Sequence, residues 1–192
     1  SMGKRLKEDK VNFELNIIGN GGLEKDLRSQ IELENLDDLV YMSGPMKPAQ
    51  VRKYMERAGI FLFTSDFKEG WGAVLNESMN SGCAVVASHA IGSVPYLISH
   101  KENGLIYENG NQDDLYQKVK YLLENQEEQK RLGRNAYRTL IDTWNAEVAA
   151  NRLIELIKQI QEHGFCELYD EGPCSRAEIL ENDWFCKIHS KE

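Results

Sequence analysis

Short apolar runs alternate with amphipathic stretches through the first part of the chain. Five of these runs predict β-strands, the first of them buried on both faces: residues 12–18, 39–44, 60–65, 84–88 and 104–107. The stretches between them carry apolar residues at helical spacing, as Leu23, Leu27 and Ile31 do. Strands that alternate with helices in this way are typical of a parallel sheet covered on both faces. We therefore expect an α/β fold, a Rossmann-like doubly wound parallel sheet.

From residue 113 onward the pattern is helical only. Apolar residues at three- and four-residue spacing predict extra C-terminal helices over residues 113–125, 127–143 and 145–163. The composition changes at Gly164, and residues 175–189 predict one last helix, with Ser175 as N-cap and with Leu180, Trp184 and Ile188 on one face. We divide the chain into residues 1–2, which look like a cloning scar, a domain over 3–162, and a C-terminal tail over 163–192.

Composition and charge narrow the possible partners. The net charge is −8 and the basic residues are scattered, so neither a nucleic acid nor an anionic membrane is an expected partner. No apolar run approaches the ~20 residues that span a bilayer, and no signal-peptide pattern opens the chain. We expect a cytoplasmic protein without a transmembrane segment.

The four cysteines are expected to be free thiols. Three of them crowd the C-terminal tail with two histidines, where a zinc site is conceivable: His163, Cys166, Cys174, Cys186 and His189. Their spacings fit no common zinc module, so we expect no metal.

Two glycine-rich patterns for phosphate binding are incomplete or missing. Gly19 and Gly21 follow a predicted strand, but the third glycine of a dinucleotide fingerprint is replaced by Glu24. We interpret this segment as a tight turn whose backbone comes close to a ligand. No G-x-x-x-x-G-K-[ST] motif is present, which argues against a P-loop nucleotidase or kinase.

A third glycine-rich stretch, "KEGWGAVLNES", lies between a predicted strand and a helix expected over residues 72–81. Gly70 and Gly72 remove side chains from the turn, so backbone N–H groups are accessible to a diphosphate. Glu69 and Glu77 would repel a phosphate but suit the hydroxyls of a diol. Eight helical residues rise about 12 Å, so one acid can lie on each side of a diphosphate. This arrangement suits a nucleotide sugar. The alternative, that Glu69 and Glu77 are solvated surface acids, fits the two glutamates taken alone but not their setting after a buried strand and around a Gly-Trp-Gly turn.

The stretch "EGWGAVLNESMNSGCAVVAS" resembles the donor-binding signature of family 4 retaining glycosyltransferases of the GT-B fold. The segments "LNIIGNGGLEKDL", "VYMSGPMKPAQVRKYMERAGIFLFTSD" and "ASHAIGSVPYLISHKENGLIY" resemble other parts of the family in the same order. The resemblance covers about residues 12–161 and implies the C-terminal half of a GT-B fold. Within the family, the motifs resemble those of the bacterial members that build surface polysaccharides.

The resemblance also implies roles for individual residues. Glu69 would hold hydroxyls of the transferred sugar and serve in catalysis, and Glu77 would hold the ribose hydroxyls. The remaining donor-binding residues are Gly19, Gly21, Gly44, Met46, Gly70, Trp71, Gly72, Ala73 and Val74. Trp71 is interpreted chiefly as a core plug beneath the loop, and Ala73 and Val74 as helix packing with backbone near the ligand. The family needs neither metal nor cofactor beyond the nucleotide-sugar donor.

Two departures from the family pattern limit what the chain is expected to do alone. Tyr96 stands where the family usually has an acid. The family's first strand, the Arg and Lys that follow it, and the N-terminal domain with its acceptor site are expected outside this chain. Lys4, Arg5 and Lys7 are interpreted as a solvated helix face rather than as substitutes for those cations.

We therefore expect a fragment that is inactive as a transferase. The full-length enzyme is expected to use a saccharide or lipid-linked acceptor, and a peripheral position at the inner membrane face is one option for it. One alternative is a stand-alone nucleotide-binding or interaction domain without catalysis. Another is a nucleotide-sugar epimerase of the same shape, but the four histidines form no evident active site.

Overall fold

The computed structural model describes residues 1–189, and the side chains of residues 1–186. Helices and strands alternate up to β5 and only helices follow. In chain order the elements are α1 (Met2–Glu8), β1 (Leu15–Ile18), α2 (Glu24–Leu33), β2 (Val40–Gly44), α3 (Pro48–Arg57), β3 (Ile60–Phe63), α4 (Val74–Asn80), β4 (Ala84–Ser88), α5 (Val94–Leu97), β5 (Leu105–Tyr107), α6 (Gln112–Glu124), α7 (Gln126–Asp142), α8 (Ala146–His163) and α9 (Trp184–His189).

All strand pairs between these elements are parallel, which confirms the α/β class. The strands form two sheets, one with the order β1-β2 and one with the order β3-β4-β5. Within residues 1–189, β1 and β3 each have a strand partner on one edge only.

The hydrophobic core lies on both faces of β4, whose five residues are all buried. Val85 and Ala87 face a cluster that includes residues of α4, α5 and α7, whereas Ala84 and Val86 face a cluster that includes residues of α1, β5, α6 and the first half of α7. Leu6 brings α1 into the second cluster and is only 1% exposed. A strand with apolar side chains on both faces requires helices on both sides, and the sequence supplies them.

Two expectations about burial and helix length were wrong. β1 is only partly buried, because β2 is its one strand partner among residues 1–189 and α2, the helix that follows it, has no buried residue. The last helix begins at Trp184 rather than after Ser175, and Ile179 and Leu180 are exposed. The carbonyl of Asn182 bonds to the His89 ring instead of entering a helical ladder. The side chains of Ile188 and His189 lie outside the described residues.

Candidate functional site

The loop after β3 holds Glu69 in a defined orientation. The N–H of Glu69 donates to the Asp66 carbonyl (3.0 Å), and the N–H of Lys68 donates to the Asp66 carboxylate (2.8 Å), so the loop turns tightly. The Ser65 hydroxyl donates to Oε2 of Glu69 (3.1 Å). Glu69 is half-buried, and none of the described residues donates a hydrogen bond to its Oε1. One carboxylate oxygen is thus anchored while the other is available to a ligand.

Glycine is required at two positions of this region. Gly72 has φ +74°, and a Cβ there would lie 2.7 Å from the Phe63 ring. Gly92, in the turn after β4, donates its N–H to the Gly70 carbonyl (3.0 Å), and a Cβ on Gly92 would lie 2.3 Å from that oxygen. Gly70 itself is exposed and has open space where a side chain would stand. The loop is therefore fixed from beneath and bare on its outer side.

Trp71 does not plug the core, contrary to the sequence-based interpretation. Its side chain is 43% exposed, because Phe63 and Ile91 already fill the space beside Gly72. The indole stacks on Tyr96, with ring centroids 5.9 Å apart and planes at 24°, and it also contacts Trp144 at 5.7 Å. Its Nε1–H donates to Oδ1 of Asn76 (2.9 Å). Tyr96, where the family usually has an acid, thus supports an aromatic cluster at the rim of the loop.

Helix α4 carries Glu77 in its first turn. Ala73 precedes the helix and is exposed, Val74 is half-buried, and Leu75 is completely buried. Glu77 is exposed and lines a cavity of about 240 Å³ whose other wall includes Arg52 of α3. The carboxylate therefore faces the space between α3 and α4 rather than the loop surface occupied by Trp71.

The two glycine turns after β1 and β2 lie next to each other. The N–H of Gly19 donates to the Gly44 carbonyl (2.9 Å), and both residues have positive φ. Gly21 is exposed with open space around it. Met46 is half-buried and leads into α3, which forms the wall opposite Glu77. The turn around Gly44 is thereby connected to the Glu77 cavity through α3.

A second and larger concavity of about 600 Å³ lies between the end of α4 and α7. Its lining includes Lys130, Arg134 and Arg138 but none of the residues expected in the site. We do not assign it to the same function.

The expected free thiols and the solvated α1 cations agree with the structure. Cys83, Cys166, Cys174 and Cys186 are all free. Arg5 covers the Tyr116 ring, with its guanidinium carbon 3.9 Å from the ring centroid, and pairs with Asp113, so this cation is engaged on the surface of α6.

No three His, Cys, Asp or Glu side chains of the described part come together as a metal site. None of its helices is long and apolar enough to cross a membrane.

A family model described as "Glycosyl transferases group 1" matches residues 2–139. The chain belongs to this family. An N-acetylgalactosaminyltransferase of Campylobacter jejuni acting on a diphospho-undecaprenol-linked saccharide is 35% identical over 120 residues, which is 62% of this chain and 31% of that protein. The amylovoran biosynthesis glycosyltransferase AmsK of Erwinia amylovora is 34% identical over 111 residues, 55% of this chain and 27% of that protein. The chain thus spans about a third of the length of these relatives.

Solved structures of glycosyltransferases share the fold. HepE of Anabaena, solved in complex with UDP, superposes with a TM-score of 0.67 at 22% identity, over 77% of this chain and 41% of that chain. The C-terminal domain of LpcC, a group 1 family protein of Francisella tularensis, has a TM-score of 0.58 at 17% identity, over 74% of this chain and 92% of that domain. These neighbours are GT-B glycosyltransferases, and the match to an isolated C-terminal domain agrees with the expected half of that fold.

Several contacts of the site were not foreseen from the sequence. Ser65 orients Glu69, Asn76 orients Trp71, and Gly92 holds the Gly70 carbonyl. The signal for Gly92 was present, because a glycine soon after a buried parallel strand lies at the same sheet edge as the loop after β3. Ser65 and Asn76 carry no comparable sequence signal, since a serine and an asparagine are common in any loop or helix.

Proposed function

We propose that this chain is the donor-binding half of a retaining glycosyltransferase that transfers a sugar from a nucleoside diphosphate to an acceptor hydroxyl. The observation that carries the proposal is the placement of two glutamates on either side of a bare glycine turn. Oε2 of Glu69 accepts a hydrogen bond from Ser65 and its Oε1 is available, and the side chain of Glu77 lines a separate cavity. A carboxylate accepts hydrogen bonds from hydroxyls, and each such bond to a charged group contributes roughly 1.5–3 kcal/mol.

The parts of a nucleotide sugar match the parts of this site. Glu77 suits the ribose hydroxyls, and the cavity beside it leads along α3 to the turn at Gly44 and Met46, which suits the base. The bare turn at Gly70 suits the diphosphate, and Glu69 suits hydroxyls of the sugar. The presence of UDP in the HepE structure supports this assignment by analogy of fold only.

In the proposed reaction this chain binds and orients the donor. Glu69 holds the sugar so that its anomeric carbon faces the acceptor. The acceptor oxygen bonds to that carbon as the bond from the carbon to the diphosphate breaks, the hydroxyl proton passes to the departing diphosphate, and backbone N–H groups around Gly70 donate hydrogen bonds to it. Stabilising the leaving group is then electrostatic, and we propose that it needs no metal. The anomeric configuration is retained in this proposal, as the family resemblance implies.

The rest of the enzyme is proposed to lie in the longer protein. The single-partner edges of β1 and β3 leave room for the additional first strand that the resemblance implies. An Arg and Lys pair and an N-terminal acceptor domain would complete the cleft. We further propose that the longer enzyme acts in the cytoplasm, at the inner membrane face, on a saccharide or lipid-linked acceptor of surface polysaccharide synthesis. The names of the C. jejuni and E. amylovora relatives support the lipid-linked acceptor and the role in polysaccharide synthesis.

The proposal is tested by titrating the isotope-labelled chain with UDP, GDP and ADP and following its amide NMR signals. We expect one nucleotide to shift the amides of Gly44, Gly70 and Gly72 at millimolar concentration. Glu77→Ala should weaken that binding about tenfold or more, because a bond to a charged group contributes roughly 1.5–3 kcal/mol.

Glu147→Ala is the matched control, because Glu147 is also an exposed glutamate in the first turn of a helix, on α8. It should leave the titration unchanged. Equal effects of the two substitutions, or shifts confined to other regions, would overturn the assignment of Glu77. Transfer activity belongs to the longer protein, and a longer protein that binds nucleotide but transfers no sugar would favour the stand-alone binding domain instead.

A further inference from the structure

The C-terminal tail beyond the family match returns to the turn that follows β4. The match to the family model ends at residue 139, yet Trp184 and Phe185 pack against the main core, and Phe185 is 5% exposed. The indole Nε1–H of Trp184 donates to the His89 carbonyl (3.1 Å). The His89 ring in turn bonds through Nε2 to the Asn182 carbonyl (2.9 Å). Two hydrogen bonds of opposite direction therefore join these two segments.

The His89 ring has a single tautomer that satisfies all its contacts. Its Nδ1 lies 2.9 Å from the backbone N–H of Asn109 and must accept from it. The ring proton is then on Nε2, where it is donated to the Asn182 carbonyl. His89 is only 5% exposed, so neither nitrogen relies on water. The ring thus ties the chain after β5 to the tail.

The same ring also contacts the loop that carries Glu69. Phe67 meets His89 edge-on with ring centroids 5.7 Å apart, and Phe185 stacks on it at 6.2 Å and 24°. Three residues after His89, Gly92 donates to the Gly70 carbonyl. His89 therefore reaches the loop by two routes, one through Phe67 and one through the backbone of its own turn.

The turn between His89 and Gly92 is rigid enough to transmit a displacement. Residues 88–91 are buried, and the Ser88 hydroxyl accepts from the N–H of Ala90 (3.3 Å) while the Ser88 carbonyl accepts from Ile91 (3.3 Å). Buried, close-packed segments pass strain on rather than absorb it. A change at His89 is therefore expected to move the Gly70 carbonyl.

We propose that His89, held by the tail at Asn182 and Trp184, is a positioning residue for the donor loop between Glu69 and Gly72. The tail, which lies outside the family match, sets the position of the bare turn that receives the diphosphate. This inference rests on the proposed function. It differs from a merely structural role because it predicts loss of nucleotide binding in protein that is fully folded.

The test uses two histidine replacements that each keep one of the two ring bonds. His89→Gln retains a donor at the position of Nε2, for the Asn182 carbonyl, and His89→Asn retains an acceptor at the position of Nδ1, for Asn109. Both lose the ring and keep a neutral amide, and Asn is shorter than Gln by one methylene, so the melting temperature of each is measured to account for the difference in packing. If the link to the tail positions the loop, His89→Asn should weaken binding of the nucleotide several-fold more than His89→Gln does.

Trp184→Phe tests the second tail bond, because it removes the N–H donor and keeps an aromatic ring. The matched control is Tyr169→Phe, which removes the hydrogen bond from the Tyr169 hydroxyl to Glu155 (2.6 Å) elsewhere in the tail. UDP is the probe, with GDP and ADP in parallel, and the readouts are the dissociation constant, the amide signals of Gly70 and Gly72 before nucleotide is added, and the melting temperature. For Trp184→Phe we expect a dissociation constant three- to tenfold larger and shifted Gly70 signals, and for Tyr169→Phe neither change.

The outcomes separate this inference from the proposed function. If Glu77→Ala weakens binding but His89→Asn and Trp184→Phe lower only the melting temperature, the positioning role is wrong and the donor site stands. If no nucleotide binds the unaltered chain, or Glu77→Ala has no effect, the proposed function fails and the positioning role fails with it. Equal losses of binding for His89→Gln and His89→Asn would also overturn the role of the tail bond.

Discussion

Substituting Gly92 by alanine displaces the donor loop by a predictable distance. The new Cβ would lie 2.3 Å from the Gly70 carbonyl oxygen, and real Cβ atoms essentially never come closer than 3.0 Å to another atom, so a gap of roughly 0.7 Å or more must open. The clash is with backbone, which has no alternative rotamer. The hydrogen bond from the Gly92 N–H to this carbonyl is stretched or lost as well.

The expected cost divides into stability and binding. Overpacking of this kind costs about 1–3 kcal/mol of unfolding free energy. Displacing the Gly70 backbone also removes its proposed N–H hydrogen bond to a charged ligand, which contributes roughly 1.5–3 kcal/mol and corresponds to a nucleotide affinity about 10- to 150-fold lower. Urea denaturation measures the first quantity, and nucleotide titration at a temperature where the variant is folded measures the second.

Gly133→Ala provides the matched comparison for Gly92→Ala. Its Cβ would lie 2.2 Å from the Gly82 carbonyl oxygen, so it introduces nearly the same clash between α7 and the turn before β4, away from the loop. We expect Gly133→Ala to lose stability to a similar extent and to keep its nucleotide affinity when folded. The reasoning is refuted if both variants bind nucleotide equally well, or if Gly92→Ala loses stability but keeps its nucleotide affinity.

Two further predictions concern ionisable groups away from the loop. Burial raises the pKa of the Cys83 thiol to about 11, so at pH 8 only about one thiol in a thousand at this position is a thiolate. Iodoacetamide labelling followed by mass spectrometry should therefore detect the partly exposed Cys166 first and Cys83 only after unfolding. Fast labelling of Cys83 in the native protein would contradict this burial. Hydrogen bonds from Lys120 and Tyr116 lower the pKa of Asp9, so its stabilising effect is present above the ordinary value of 3.8 and is lost as the pH falls through the lowered pKa. Thermal melts should therefore separate Asp9→Asn from the unaltered chain slightly at pH 7 and low salt but not at pH 2, and a difference that persists at pH 2 would show that the charge is not responsible.

The order of strands and helices could be read from the sequence because each element carries its own pattern. The predicted limits of β4 agree with the structure, since four apolar residues and Ser88 between Cys83 and His89 leave little choice of limits. Burial of β1 could not be judged in this way, because its apolar pattern does not reveal whether it has a strand neighbour on each edge. The pairing partners are a property of the assembled sheet.

The site was predictable in its residue types but not in its supports. Glu69, Gly70 and Gly72 stand out because a loop of bare glycines between acids has few purely structural uses. Trp71 was misjudged because an aromatic residue is usually buried, and only the fold reveals that Phe63 has taken the space beneath it. The start of the helix in the tail was mispredicted for a similar reason. Contacts with His89, nearly a hundred residues earlier in the chain, determine where this helix begins.

The single-partner edges of β1 and β3 have a consequence for the timescale on which the backbone opens. β4 bonds to a strand on each side, so its amide protons should exchange with solvent only through the rarest openings of the domain. Amides on the outward edges of β1 and β3 lack that protection within the described residues and should exchange orders of magnitude sooner. Such an edge is also a template on which another strand can add. In the three-stranded sheet, the slowly exchanging amides of β4 thus lie one strand spacing, roughly 5 Å, from the faster edge of β3.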